Sequence, residues 1–238
     1  MNLKEIYNMA VPIHKRKEER YNFWLSLALR PASILVTAPF VGTKVKPTTI
    51  TKYSVFSLFI GFGLLSFGMK MPLKVVGWFF FFIWGVLDCV DGNLARCNNM
   101  CSALGDLWDT MGGYAAMVLI YFSAGIAAFY DNNLFVIWEP YWSLIMGGIA
   151  AICSIFPRLV MHKKKSSQAN SEVVRELTDK SSFSLSKIIA LNLISPIGFM
   201  QGILFISIFA HMLNLYIVFY AFVNFAVMVL SLRSLLKE

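Results

Sequence analysis

The chain has 238 residues, of which 58% are apolar and 14% are charged, and its mean hydropathy is +0.64. A soluble domain carries roughly 45–50% apolar and about 25% charged residues, so this composition excludes an ordinary soluble domain and indicates an integral membrane protein. The formal charge of +8 could suit nucleic acid. The basic residues instead follow the ends of apolar segments, which is typical of membrane orientation, and we predict no nucleic-acid partner.

Residues 1–45 are predicted to form a cytoplasmic basic arm followed by an interfacial helix. The polar start of the chain has no apolar signal segment, so no cleavable signal peptide is expected. Residues 21–42 are apolar but contain Arg30, Pro31 and Pro39, which argue against a single membrane-crossing helix. We therefore predict an amphipathic helix lying on the bilayer surface. The basic residues clustered in the arm are Lys15, Arg16, Lys17 and Arg20.

Six apolar segments follow, each near the ~20 residues that a helix needs to cross a bilayer. Ser102 is predicted to cap the third segment, and Ser195 with Pro196 is predicted to kink the fifth. The predicted fold is thus all-α, with six transmembrane helices in residues 46–238 and an N-terminal interfacial amphipathic helix. The predicted spans cover approximately residues 51–69, 75–96, 102–130, 136–160, 187–210 and 215–232.

The distribution of basic residues predicts the orientation of these spans. Of 21 Lys and Arg residues, only Lys70 and Lys74 fall on the connections after the first, third and fifth spans. The positive-inside rule then places both termini, and the connection between the second and third spans, in the cytoplasm. An even number of spans agrees with this placement. We expect a multi-pass protein of the plasma membrane.

The second and third predicted spans contain four aspartates: Asp88, Asp91, Asp106 and Asp109. A carboxylate at bilayer depth is costly and by default indicates a functional site. Asp88 and Asp91 share a helix face, and the reversal near Asn98 returns Asp109 to a depth of about 10 Å below the turn. Three converging carboxylates require a cation, and oxygen donors favour Mg²⁺, Mn²⁺ or Ca²⁺ over zinc.

Small residues and one arginine lie on the same hairpin. Gly92, Ala95 and Gly105 either let helices pack closely or let a bulky ligand approach the backbone. Arg96 could bind a phosphate or pair with Asp106. A metal and an arginine in a cytoplasmic membrane cleft would suit a donor that contains a pyrophosphate.

The spacing of these residues forms a recognisable signature, Asp88-x2-Asp91-Gly92-x2-Ala95-Arg96-x8-Gly105-x3-Asp109. It resembles the signature of the CDP-alcohol phosphotransferase family. The stretch Pro47-Thr48-Thr49-Ile50-Thr51 also resembles the Pro-Asn-x-Ile-Thr box before the family's first span, with Thr48 in place of Asn. The resemblance covers most of the chain from about Arg30 onward.

The resemblance implies the transfer of a phospho-alcohol unit from a CDP-linked donor, often CDP-diacylglycerol, to an acceptor hydroxyl with release of CMP. It further implies a homodimer among membrane lipids and two divalent ions, Mg²⁺ or Mn²⁺. The metal ligands it implies are Asp88, Asp91 and Asp109. The residues it implies around the nucleotide and its phosphates are Pro47, Thr51, Gly92, Ala95, Arg96 and Gly105.

The family signature ends with a fourth aspartate, where this chain has Gly113. In the family that carboxylate is thought to help hold a metal and to deprotonate the acceptor, and glycine can do neither. Asp106 could substitute as a catalytic residue beside Asp109, or the acceptor could lose its proton without a dedicated carboxylate. Alternatively, the chain is a catalytically weak or inactive nucleotide-binding homologue. General-base assistance is worth roughly 10²–10⁴-fold, so slow chemistry could survive, and we predict an active enzyme.

Basic residues at the end of the fourth span suggest the nature of the acceptor. The lysines 163–165 and Lys187 are expected to act as positive-inside anchors, whereas Arg158 lies within an apolar run. Related enzymes that use phosphorylated acceptors carry basic residues near this position. The resemblance therefore implies a phosphorylated or anionic acceptor held by Arg158.

Two other functional classes fit parts of the pattern. An intramembrane Mg²⁺-dependent prenyltransferase would also use Asp-rich helices, but such enzymes usually carry two Asp-rich motifs and more spans. A divalent-cation transporter would need polar groups continuing across the third span, where residues 114–130 offer only hydroxyls.

Overall fold

The computed structural model describes residues 2–19, 21–131, 139–167 and 185–235, and these residues are predominantly helical with no β-strand among them. The predicted all-α fold is confirmed. A π-helix, Leu25–Leu29, precedes the third helix, and a 3₁₀ turn, Ala38–Phe40, follows it. The α-helices are α1 (Leu3–Ala10), α2 (Ile13–Glu19), α3 (Arg30–Thr37), α4 (Pro47–Phe67), α5 (Met71–Cys97), α6 (Ala103–Phe129), α7 (Tyr141–Ser167), α8 (Leu185–Ile194), α9 (Phe199–Phe209) and α10 (Leu213–Leu235).

Within the described residues, α4, α5, α6, α7 and α10 are each long and apolar enough to cross a membrane. Helices α8 and α9 pass the same test together but are bent by 53°, so that the pair counts as a sixth, broken span. The protein is therefore a multi-pass integral membrane protein with five spans, or six with the bent pair. The predicted kink at Ser195 and Pro196 falls in this break. The predicted start of the fourth span and most of the loop before the fifth lie outside the described residues.

Helices α4 and α5 begin about one turn earlier than the sequence pattern predicted. Each has a proline in its first turn, Pro47 or Pro72, where the missing N–H has no intrahelical partner to lose. Lys74 consequently lies inside α5 rather than on a connection, and its Nζ pairs with Asp131 at 3.1 Å. The predicted cap is confirmed, because Ser102 accepts a hydrogen bond of 3.1 Å from the Gly105 amide.

The predicted interfacial amphipathic helix over residues 21–42 is not confirmed. Arg30 is buried, and its guanidinium donates to Glu19 and Asn93. A buried arginine needs such partners because desolvating an unpaired charge is costly. The preceding basic arm, for which no secondary structure was predicted, forms α1 and α2 and packs against α5 and α3 through α1.

The packing of the long helices leaves a cleft between the second and third spans. Helix α4 packs along both α5 and α6, which contact each other only slightly, while α7 packs between α6 and α10. Helices α6 and α7 approach closely at Gly125 and Gly147, where a Cβ on Gly125 would lie 2.8 Å from the Ser143 carbonyl oxygen. The buried apolar core between the long helices includes Phe81, Trp84, Tyr121 and Tyr220.

Candidate active site

A cavity of about 540 Å³ lies where α5, α6 and α7 meet the break between α8 and α9. Residues 106, 109, 110 and 113 recur at helical spacing, so one face of α6 forms a wall of the cavity. Helix α5 contributes Asp88, and α7 contributes Arg158 and His162. The complete lining comprises Trp84, Asp88, Asp106, Asp109, Thr110, Gly113, Tyr114, Arg158, His162, Pro196 and Ile197.

Three of the four aspartates singled out in the sequence line this cavity, and the fourth lies close by. Asp88 is near enough to Asp109 and Asp91 to interact electrostatically with both. Asp91 is buried, with 5% of its surface exposed, and accepts a hydrogen bond of 2.5 Å from the Thr51 hydroxyl. Asp106 lies on the same wall as Asp109, so the cavity brings together the two residues predicted to be catalytic.

The carboxylates do not form a preassembled metal cluster. Among the residues that the structure describes, no three His, Cys, Asp or Glu side chains converge closely enough to hold a metal ion. The three aspartates nevertheless offer carboxylate oxygens, the donors that a hard divalent cation prefers. The proposed ligands are therefore chemically suited to a divalent cation and lie close enough to interact electrostatically: Asp88, Asp91 and Asp109.

The other residues predicted to bind the donor lie outside the lining of this cavity. Thr51 is brought to Asp91 because α4 packs on α5, and Pro47 starts α4. Ala95 is partly exposed near the end of α5, and Gly105 lies in the first turn of α6.

Arg96 is not paired with Asp106 in the described part of the chain. Its Nε donates to the Ala10 carbonyl, and its Nη2 donates to Asn93 Oδ1 at 3.1 Å. The guanidinium lies over Gly92, where an added Cβ would be 3.2 Å from Nη1. Gly92 therefore leaves room for the arginine that ties α5 to the N-terminal arm.

A buried polar network next to the aspartates was not predicted from the sequence. Asn93 is fully buried, accepts a hydrogen bond of 2.8 Å from Arg30 Nη1, and donates to the hydroxyls of Ser33 and Thr37. Arg30 in turn donates to Glu19 at 2.9 Å. The available signal was an arginine and an asparagine within apolar segments, where each requires a partner.

The N-terminal arm also places a lysine near the aspartates. Lys15 of α2 interacts electrostatically with Asp88 and Asp109. Burial is the main cause that lowers the pKa of Lys15, and the neighbouring positive charges of Arg96 and Arg30 lower it further. Nothing in the sequence distinguished this lysine from the other basic residues of the arm.

The wall around Gly113 is basic and open. The nearest heavy atom to a Cβ built on Gly113 is Arg158 Nη1, at 4.0 Å, so the position has room for a side chain. Next to it, the Tyr114 hydroxyl lies 2.8 Å from His162 Nδ1, with the ring centroids 5.7 Å apart. The side chains of Lys164, Lys165 and Lys187 lie outside the described part of the structure.

Together, the fold and the cavity define a multi-pass helical membrane protein with carboxylates, an arginine and a histidine around one polar cavity. The family model described as CDP-alcohol phosphatidyltransferase matches residues 44–233, which is most of the chain. The chain therefore belongs to the CDP-alcohol phosphatidyltransferase family, and the family predicted from the aspartate signature is confirmed. A search of curated proteins found no match to the chain.

Proposed function

We propose that this protein transfers a phospho-alcohol group from a CDP-linked donor, such as CDP-diacylglycerol, to an acceptor hydroxyl and releases CMP. The observation that carries this proposal is the cavity lined by Asp88, Asp109 and Arg158 in a chain of this family. In the reaction, the acceptor oxygen forms a bond to the phosphorus that carries the alcohol. The bond from that phosphorus to the bridging oxygen breaks, and CMP leaves with that oxygen.

The proposed cofactor is a pair of divalent ions, Mg²⁺ or Mn²⁺, with Asp88, Asp91 and Asp109 as ligands. Such ions would supply polarisation of the diphosphate and would neutralise charge on the departing CMP. The Thr51 hydroxyl fixes one carboxylate oxygen of Asp91, so that the other oxygen can turn toward a ligand. Gly92, Ala95 and Gly105 would shape the nucleotide slot.

Arg158 is proposed to hold the acceptor. It is a partly buried cation beside Gly113 on the cavity wall. A guanidinium binds phosphate oxygens through two parallel hydrogen bonds, which makes it well suited to a phosphorylated or anionic acceptor. The neighbouring Lys163 would add positive charge at the same end of α7.

Gly113 supports a second candidate, a catalytically weak or inactive homologue that binds the nucleotide. At Gly113 the chain has no side chain where the family signature has a carboxylate, and Arg158 Nη1 lies 4.0 Å from a Cβ built there. The donor-side aspartates would still bind a metal and a CDP-alcohol in such a protein.

The proposed setting is the cytoplasmic face of the plasma membrane, with both termini in the cytoplasm and two copies of the chain forming a homodimer. The charge distribution supports this orientation, because Lys70 is the one Lys or Arg residue on the connections predicted to lie outside, with Lys74 in the first turn of α5.

A CMP-release assay on the purified protein tests the proposal. With Mg²⁺ or Mn²⁺, CDP-diacylglycerol and a panel of polyols, amino alcohols and their phosphates, we expect CMP release that EDTA stops. Asp91→Asn should abolish both release and metal-dependent donor binding, whereas Glu139→Gln, which changes an exposed carboxylate just before α7, should bind the donor normally. CDP-diacylglycerol binding without CMP release for any acceptor would favour the inactive homologue. Unchanged binding in Asp91→Asn would contradict the assignment of the metal ligands.

A further inference from the structure

The wall of the cavity next to Gly113 carries a hydrogen-bonded pair from two different helices. Tyr114 directly follows Gly113 on α6, and His162 lies one helical turn after Arg158 on α7. The Tyr114 hydroxyl and His162 Nδ1 are 2.8 Å apart, and both residues line the same cavity as Asp109 and Arg158. A phenol and an imidazole in contact can exchange a proton, which no other hydrogen-bonded pair described in this cavity can do.

The surrounding residues leave the proton-accepting task to this pair. Asp109 and Asp88 belong to the proposed metal site, where a ligand oxygen is already engaged. Asp106 also lines the cavity, but it lies in the first turn of α6, about two helical turns from Gly113, where the family signature has its carboxylate. Gly113 offers no side chain, whereas Tyr114 is adjacent to it and interacts electrostatically with Arg158, the proposed anchor of the acceptor.

We infer that Tyr114 and His162 together accept the proton of the acceptor hydroxyl, in place of the carboxylate that the chain lacks at Gly113. This inference rests on the proposed function. The acceptor O–H bond breaks and its proton passes to the Tyr114 oxygen, while the phenolic proton passes to His162 Nδ1. The acceptor oxygen bonds to phosphorus, CMP leaves with the bridging oxygen, and the imidazolium later returns its proton to water.

The first test compares Tyr114→Phe and His162→Gln in the full-length protein, with CDP-diacylglycerol, Mg²⁺ and the acceptor that gives the fastest CMP release. Each variant should lower kcat on the order of 10²-fold and leave the KM for CDP-diacylglycerol unchanged, because the pair contacts the acceptor rather than the donor. Tyr130→Phe and His211→Gln are matched controls that lie away from the cavity. A wild-type kcat in both cavity variants would overturn the inference.

A rescue experiment separates proton transfer from a structural role of the pair. Gly113→Asp or Gly113→Glu should restore most of the lost kcat in the His162→Gln background, because the introduced carboxylate replaces the missing proton acceptor. Loss of kcat that neither carboxylate rescues would show that the pair merely joins α6 to α7 and would overturn the inference. Donor binding and the thermal midpoint check that each variant is folded.

The same assay distinguishes failure of this inference from failure of the proposed function. Absence of CMP release from the wild-type protein with every donor and acceptor would contradict the proposed function and the inference together. Wild-type release that persists in Tyr114→Phe and His162→Gln would contradict the role of the pair alone.

Discussion

At the scale of single residues, the contact between Thr51 and Asp91 joins two separate sequence motifs. The two residues are both buried, and the hydroxyl donates to the carboxylate at 2.5 Å. Holding one carboxylate oxygen in this way restricts how the other can rotate. Thr51 therefore acts on the proposed metal site by positioning Asp91.

Thr51→Val should raise the Mg²⁺ concentration needed for half-maximal CMP release by about 10–100-fold. This is the usual loss of metal affinity when a group that orients a metal ligand is removed. Thr51→Ser keeps the hydroxyl and is the matched control, for which we expect near-normal dependence. A Mg²⁺ titration of CMP release measures the effect. Equal Mg²⁺ dependence in the two variants would contradict a positioning role for the hydroxyl.

The sequence singled out the carboxylates but not the polar side chains that lie beside them. Asp88, Asp91 and Asp109 stood out because charged residues inside apolar spans are rare and costly. Asn93 did not, since an uncharged residue between two signature positions gives no clue to its partners. Its contacts to Arg30 come from a segment about 60 residues away in the chain, and only the packing of α3 on α5 reveals them.

At the scale of helices, two glycines of α6 have opposite surroundings. Among the described residues, the atom nearest to a Cβ built on Gly113 is 4.0 Å away, whereas a Cβ on Gly125 would lie 2.8 Å from a backbone oxygen of α7. Gly125 therefore permits the close approach of α6 and α7, as small residues do at helix contacts in membranes. Gly113 has no such packing role.

Gly113→Ala should leave the protein folded and raise its stability by about 0.5–1 kcal/mol, because alanine loses less backbone entropy in a helix. Gly125→Ala should destabilise it, since the methyl group would push α6 away from α7. Thermal unfolding in detergent compares the two variants. A Gly125→Ala protein as stable as Gly113→Ala would refute the close contact between these helices.

The length of the apolar segments predicted that the long helices exist. It did not predict where they start or how the N-terminal segment folds. The starts of α4 and α5 were predicted too late because a lysine or a threonine near a proline resembled a connection. Residues 21–42 were predicted to lie on the bilayer surface because Arg30 interrupts an apolar run. The structure instead pairs Arg30 with Glu19, a partner that hydrophobic periodicity cannot identify.

At the scale of the whole molecule, polar groups at the two ends of the α5–α6 pair have different roles. The cavity with its carboxylates lies toward the end where α5 stops and α6 starts, while Lys74 pairs with Asp131 where α5 starts and α6 stops. Both partners of this pair are largely buried, with 6% and 14% of their side chains exposed. The pair fastens the far ends of two helices that contact each other only slightly elsewhere.

Lys74→Met should lower stability by about 3 kcal/mol, because it removes one partner of a buried ion pair. The double variant Lys74→Met/Asp131→Leu should recover part of the loss, since the buried carboxylate that has lost Lys74 is then removed as well. CMP release at a temperature below the unfolding transition should match that of the wild type. A double variant less stable than Lys74→Met would indicate that Asp131 has a more important contact than Lys74.

The family match starts at residue 44, but the folded unit around the aspartates starts much earlier. Arg96 donates a hydrogen bond to the Ala10 carbonyl, and Arg30 donates to Glu19. Lys15 interacts electrostatically with Asp88 and Asp109. A protein shortened to the matched segment would keep every residue of the signature and lose these contacts. Substitutions in α1 and α2 of this chain can therefore change how the aspartates behave without altering one residue of the motif.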